Sequence, residues 1–180
     1  MASHFLQTAF AIPVMPDEAA LLEECFALAD ELSSDFAELP INGMQTVKAY
    51  YASSSDAFRI TFPKKPEEDD PFAGFFDLWS DPGFFGFDAD LSIRGDPDGK
   101  AQFAFISGHD VDVHSIASLI QKVCRSALPF GFQWAEGSVE DDDSGSFAGG
   151  YYVISDTEIF GGPTRWLMAE TLQTLRAGAT

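Results

Sequence analysis

Two runs of alternating apolar and polar residues, FDADLSIRG (87–95) and KAQFAFISG (100–108), are joined by Asp96-Pro97-Asp98-Gly99. Proline fixes one φ and Asp-Gly supplies the positive-φ position of a tight turn, so the two runs must fold back on each other as antiparallel strands. A strand hairpin facing a core on one side needs helices or a second sheet to cover that side. The next segment supplies a helix. Asp112 reads as its N-cap, and Ile116, Leu119, Ile120, Val123, Cys124 and Ala127 recur at three- and four-residue steps through Leu128. Lys122 and Arg125 sit in its last turns, where the helix dipole favours cations.

The rest of the chain follows the same logic. FLQTAFAI (5–12) suits a strand that stops at Pro13, and Pro16, Asp17 and Glu18 open a helix whose apolar face is Leu21, Leu22, Cys25, Phe26, Leu28, Ala29 and Leu32. TVKAYYAS (46–53) and AFRITF (57–62) are rich in β-branched and aromatic residues and predict two strands paired across Ser53 to Asp56. PKKPEEDDP (63–71) is charged and proline-rich, which predicts an exposed linker, and FAGFFDLWSDPGFFGF (72–87) predicts a buried, Phe-rich block without a clear period. GFQWAEGS and GGYYVIS predict strands around an acidic loop from Val139 to Gly145, and a last helix opens at Pro163-Thr164 and runs to about Arg176.

The expected class is therefore α+β, with an antiparallel sheet and about three helices. At 180 residues it is expected to be one domain, with possible sub-halves 1–66 and 71–180 joined by the acidic Pro-rich linker. The hydrophobic pattern of QTAFAIPVMPDEAALLEECF resembles that of QFAFISGHDVDVHSIASLIQKVC, so a strand-then-helix unit is expected twice.

Charge narrows the function. Ten bases face 29 acids, a formal charge of −19, and the first base in the sequence is Lys48. A single-sign field of this size repels phosphates and anionic lipid and attracts basic partners at salt-dependent rates. Direct nucleic-acid or membrane binding is not expected; a basic protein partner is. Three patches are candidates to meet it: Glu23, Glu24, Asp30 and Glu31 on the outer face of the first helix; Glu67, Glu68, Asp69 and Asp70; and Glu140, Asp141, Asp142 and Asp143 beside Glu136. Carboxylates spaced along a helix and loops can imitate phosphates, the chemistry of an inhibitor or backbone mimic, and an immunity-type inhibitor of a basic toxin would present the same face.

The alternative is an enzyme, a hydrolase or a metal-dependent one. His109, Asp110, Asp112 and His114 offer imidazole and carboxylate between a strand end and a helix start, a donor set that suits a divalent metal. In the bland reading Asp112 caps the helix and the histidines sit in solvent. DPDGK (96–100) misses the calcium-loop spacing, because Gly99 comes too early and the twelfth position is Ser107. No nucleophile elbow, Walker glycine loop, dinucleotide fingerprint or H-E-x-x-H pair occurs, so no cofactor is expected. Cys25 and Cys124 fall on apolar helix positions and are read as buried thiols. No apolar run approaches the ~20 residues of a membrane span, and no bases precede the apolar stretch at the amino end, so the expected location is cytoplasmic.

The segment AFISGHDVDVHSIASLIQKVCRSALPFGFQWAEGS, followed by FAGGYYVISD, resembles a group of small uncharacterised proteins of bacterial genomes, plasmids and phages. In that group an apolar strand and a helix precede a G-F-x-W-A strand, a loop and F-G-G-G. The opening SHFLQTAFAIPVMPDEAALLEE is similar to their amino end as well. The resemblance implies an α+β fold and a mobile-element setting, and no activity. Where the group carries a Thr-Cys-Ser-Lys-Pro-Arg-like stretch, this chain has Glu136-Gly137-Ser138-Val139-Glu140-Asp141, so nothing that rests on that cysteine or those bases carries over.

Overall fold

The computed structural model describes residues 3–35, 43–81, 85–95, 102–139 and 146–177. Strand β1 (Ser3–Val14) leads into helix α1 (Pro16–Asp35), followed by α2 (Gly43–Ser53), α3 (Asp56–Thr61) and the single turn α4 (Ala73–Phe76). Then come β2 (Asp90–Gly95), β3 (Gln102–His109), α5 (Val113–Val123), a 3-10 turn at Arg125–Ala127, β4 (Phe130–Val139), β5 (Ser146–Ile154), β6 (Ile159–Pro163) and α6 (Thr164–Ala177). The fold is α+β, with one six-stranded sheet in the order β2-β3-β1-β4-β5-β6 and every neighbour antiparallel.

That order interleaves two split β-α-β units: β1 and β2 run parallel with β3 between them, and β3 and β4 run parallel with β1 between them. The strand-then-helix unit thus occurs twice, as β1–α1 and β3–α5. The Asp96–Gly99 turn lies outside the described residues, but its strands pair as the alternation requires, from Asp90↔Ser107 to Gly95↔Gln102.

Period-two alternation decides which face is covered. In β1, Thr8, Ile12 and Val14 are buried, whereas Gln7, Ala9, Ala11 and Pro13 are exposed. Phe10 continues the inward set and stacks on Phe132 of β4, ring centroids 4.5 Å apart. Onto this face α1 brings Leu21, Leu22, Cys25, Leu28, Ala29 and Leu32, and α5 brings Ile116, Leu119, Ile120 and Val123, all buried. Burial of each Leu or Ile contributes roughly 1.5–3 kcal/mol. Asp112 caps α5 as expected, its carboxylate accepting from the backbone N–H groups of His114 (3.1 Å) and Ser115 (3.0 Å). The helix itself ends at Val123, short of Leu128.

The hairpin expected over 46–62 is not formed: both runs are helical, as α2 and α3. Their β-branched and aromatic residues fall at helical spacing, with Val47 and Tyr51 buried on α2 and Phe58 and Phe62 buried four residues apart in and just after α3. Those rings join Phe72 and Phe75 in one aromatic cluster, with Tyr51 edge-on to Phe72 at 5.2 Å and Phe58 edge-on to Phe75 at 5.2 Å. The Tyr51 hydroxyl donates to the Phe62 carbonyl oxygen at 2.8 Å. Burial of that cluster outweighs strand propensity, a weak prior that tertiary context overrides. Ser55 starts α3 by accepting from the Phe58 N–H. These added helices bring the described count to six, against the expected three or so.

Strand β6 was also not anticipated. Its Gly161 (φ 111°) and Gly162 (φ 143°) hold backbone conformations that other residues rarely adopt. The 63–69 stretch is mostly exposed, as expected, and is tied down at Lys65, which bridges Glu68 (3.0 Å) and Asp77 (2.8 Å). One hydrophobic core runs from Ile12 to Ile154 and draws on residues from both sides of that stretch.

Candidate functional site: an acidic cleft at one edge of the sheet

The carboxylates of α1 have different fates. Glu18 ties the helix start to the rest of the fold, accepting from the backbone N–H groups of Met15 (2.9 Å) and Ser126 (2.8 Å) and from the Ser126 hydroxyl. Glu24 accepts from the backbone N–H (2.7 Å) and hydroxyl of Ser55, and so anchors the cap of α3 to α1. Glu23 and Asp30 stand seven residues apart, two helical turns along one side, and line a cleft of about 480 Å³ between α1 and the segment 85–91. Glu31 is exposed.

The opposite wall brings Asp88 and Asp90 to the same cleft. Its backbone is fixed at several points. Trp79 Nε1–H donates to the Gly86 carbonyl at 2.9 Å, Asp112 N–H donates to the Phe87 carbonyl, and the Phe87 ring packs on Phe26 of α1 at 4.7 Å. The segment crosses directly over Gly108, where a Cβ would meet the Asp88 carbonyl oxygen at 2.7 Å, so only glycine permits this approach. Asp88 itself sits at φ 49°, the left-handed region that Asp tolerates better than most residues.

Four carboxylates therefore line one cleft, and none of its described lining residues is Lys, Arg or His. Unlike charges at hydrogen-bonding distance lower each other's energy, and like charges in one cleft raise it unless a cation enters. The arrangement concentrates negative charge at this edge. Asp90 also borders a second, polar groove of about 610 Å³ on the exposed face of the sheet, lined by Gln7, Ala9, Ser107, His109 and Gln133 among others. At the far end of β2, Arg94 lies over the Phe105 ring at 4.7 Å.

The other expected sites are dispersed. Glu67, Glu68 and Asp69 are exposed, Glu68 pairs with Lys65, and Asp70 accepts from the Phe72 N–H at 2.8 Å. None of these four lines the cleft. Glu140, Asp141, Asp142 and Asp143 lie outside the described residues. Glu136 is buried on β4, with Arg165 of α6 at 3.2 Å.

The metal alternative finds no converging ligand set. His109 Nδ1 is 2.7 Å from the Gln7 side-chain amide on the open face, Asp110 turns the chain at φ 65°, Asp112 caps α5, and His114 meets the edge of Tyr152. Among the described residues no three His, Cys, Asp or Glu side chains form a group that could hold a metal ion. Both cysteines are buried. Burial pushes the Cys25 thiol well up, and burial followed by the nearby Glu18 carboxylate pushes Cys124 up to about 12, so neither is poised as a nucleophile. Among the described residues no helix is long and apolar enough to cross a membrane.

Asp88 and Asp90 are the site residues that sequence reasoning missed. Their only sequence signal is position in the alternating run FDADLSIRG, where they fall out of step with the apolar residues. No protein-family model, curated protein or solved structure matches the chain.

Proposed function

We propose that this is a non-enzymatic acidic binding protein that engages a basic protein partner, as an inhibitor or a mimic of a phosphate backbone. The observation that carries the reading is the cleft lined by the carboxylates of Glu23, Asp30, Asp88 and Asp90, beside a 20-residue helix that contains no base at all. Complementary fields of this kind speed encounter and set specificity, and their effect fades as salt screens them.

The test is capture of partners from the native host by immobilised protein at low and high salt, comparing the natural chain with a variant carrying Glu23→Lys, Asp30→Lys, Asp88→Lys and Asp90→Lys. A basic protein released by salt and not retained by the variant supports the reading. Equal capture by both, or no salt-labile basic protein, ends it. Glu24 is left unchanged because it holds the cap of α3.

A further inference from the structure

The charge is not evenly distributed. Residues 1–95 hold 17 acids against 5 bases, whereas residues 146–177 hold three against two. The exposed apolar residues show the reverse. Of the eight large hydrophobics exposed among the described residues, six fall between 151 and 172: Tyr151, Val153, Phe160, Trp166, Met168 and Leu172. Val153 and Phe160 are cross-strand partners, and Tyr151 shares their face by register, so β5 and β6 present a continuous apolar strip.

The helix that follows is under-supported within one chain. From Thr164 to Thr174 every residue of α6 is exposed except Leu167, which is half-buried. Its described side-chain hydrogen bonds to the rest of the fold are at its start, where the Thr164 hydroxyl donates to the Gly149 carbonyl at 2.7 Å and Arg165 reaches Glu136. Helices of this length are marginal in water by themselves and draw their stability from packing an apolar face. Met168, 62% exposed, shares one face with Leu172 four residues on, and Trp166, 65% exposed, lies on the other side of Leu167, so that packing is not supplied by the described residues.

We infer that the β5–β6–α6 unit is a self-association surface through which two copies of this chain pair about a two-fold axis. Charge selects the occupant. A basic partner is drawn to the acid-rich part of the molecule and gains nothing from a nearly neutral apolar one, and an anionic membrane is repelled by a chain of charge −19. Two copies repel each other least where acids are fewest, and an apolar patch complements itself, which is the requirement of a closed two-fold interface. Contact is made by side chains and not by extending the sheet, because β6 ends in Gly161-Gly162-Pro163, a poor template for a further strand. β6 and the acidic cleft beside β2 lie at opposite edges of six strands, roughly 24 Å apart at the usual strand spacing, so pairing leaves both clefts open.

Sedimentation equilibrium of the full chain tests this. The expected mass is twice 19.6 kDa, with association held or strengthened as salt screens the repulsion between acidic copies. Two variants, Met168→Glu with Leu172→Glu, and separately Phe160→Glu, should each weaken pairing by roughly thirtyfold or more, as loss of an interface anchor does. Ile60→Glu, at an 80% exposed position on α3, should leave it intact. All these sites are exposed, and an unchanged circular dichroism spectrum of the β-sheet confirms that each variant is folded. A single-copy mass at every concentration and salt, a dimer indifferent to both interface variants, or a mass that keeps growing past two copies overturns the proposal.

Discussion

The two edges of the sheet solve opposite problems with the same backbone geometry. At the β2 edge, helix α1 and the 85–91 segment bury their apolar residues against each other and turn carboxylates outward into a shared cleft. At the β6 edge, apolar residues are left outward and acids are scarce. One edge gathers negative charge and the other exposes hydrophobic surface. Between them lies a single core of buried residues, which both edges share.

That shared core gives the largest expected effect. Phe58 is fully buried among Tyr51, Phe62, Phe72 and Phe75, and Phe58→Ala should cost about 3–5 kcal/mol in urea unfolding. Both edges should fail together; survival of the aromatic cluster's stability would show that α2 and α3 are not packed as described. Next comes the contrast itself. Reversing the four cleft carboxylates should weaken partner binding by roughly a hundredfold, the scale of several close charge contacts, and leave the sedimented mass alone, whereas the α6 double variant should do the opposite. An effect of either change on both readouts would merge the two edges into one surface.

Neighbouring residues on α1 sharpen the comparison at a smaller scale. Glu24→Gln gives up charged hydrogen bonds to Ser55 and should cost about 1.5–3 kcal/mol of stability, while Glu23→Gln, which faces the cleft, should change stability by less than about 0.5 kcal/mol. Chemical denaturation of the pair decides this. The remaining effect is alkaline and is absent at neutral pH. Because Cys25 and Cys124 hold their protons more tightly folded than unfolded, the folded state binds more protons above the ordinary thiol range, and stability should fall as pH rises from about 8.5 toward about 12. The loss should approach roughly 1.4 kcal/mol per pH unit for each thiol and be reduced in Cys124→Ala.

Much of the fold was legible because periodicity and punctuation agreed. Pro16 with Asp17 and Glu18, Asp112 before Val113, and Pro163-Thr164 each mark a helix start that the apolar spacing then continues, and the runs that form β2 and β3 alternate. The 46–62 region was misread because Val, Tyr, Ile and Phe favour strands locally, while the partners that hold them helical, Phe72 and Phe75, lie more than ten residues on. β6 was missed because glycines carry no pattern. Half of the cleft was visible: Glu23 and Asp30 fall on the outer face that the helix period assigns them. Asp88 and Asp90 join them only because α1 crosses beside β2, a consequence of strand order that no local pattern encodes. Nor does composition separate Glu23 from Glu24, whose roles differ through one contact with Ser55.

The most direct test of charge gathered at one edge is the salt dependence of partner binding, measured for the natural chain and for the variant with lysines at positions 23, 30, 88 and 90. A steep loss of affinity with added salt that flattens in the variant is the result expected. Equal slopes for the two proteins would mean that the negative field acts from elsewhere on the molecule, and the cleft would lose its role.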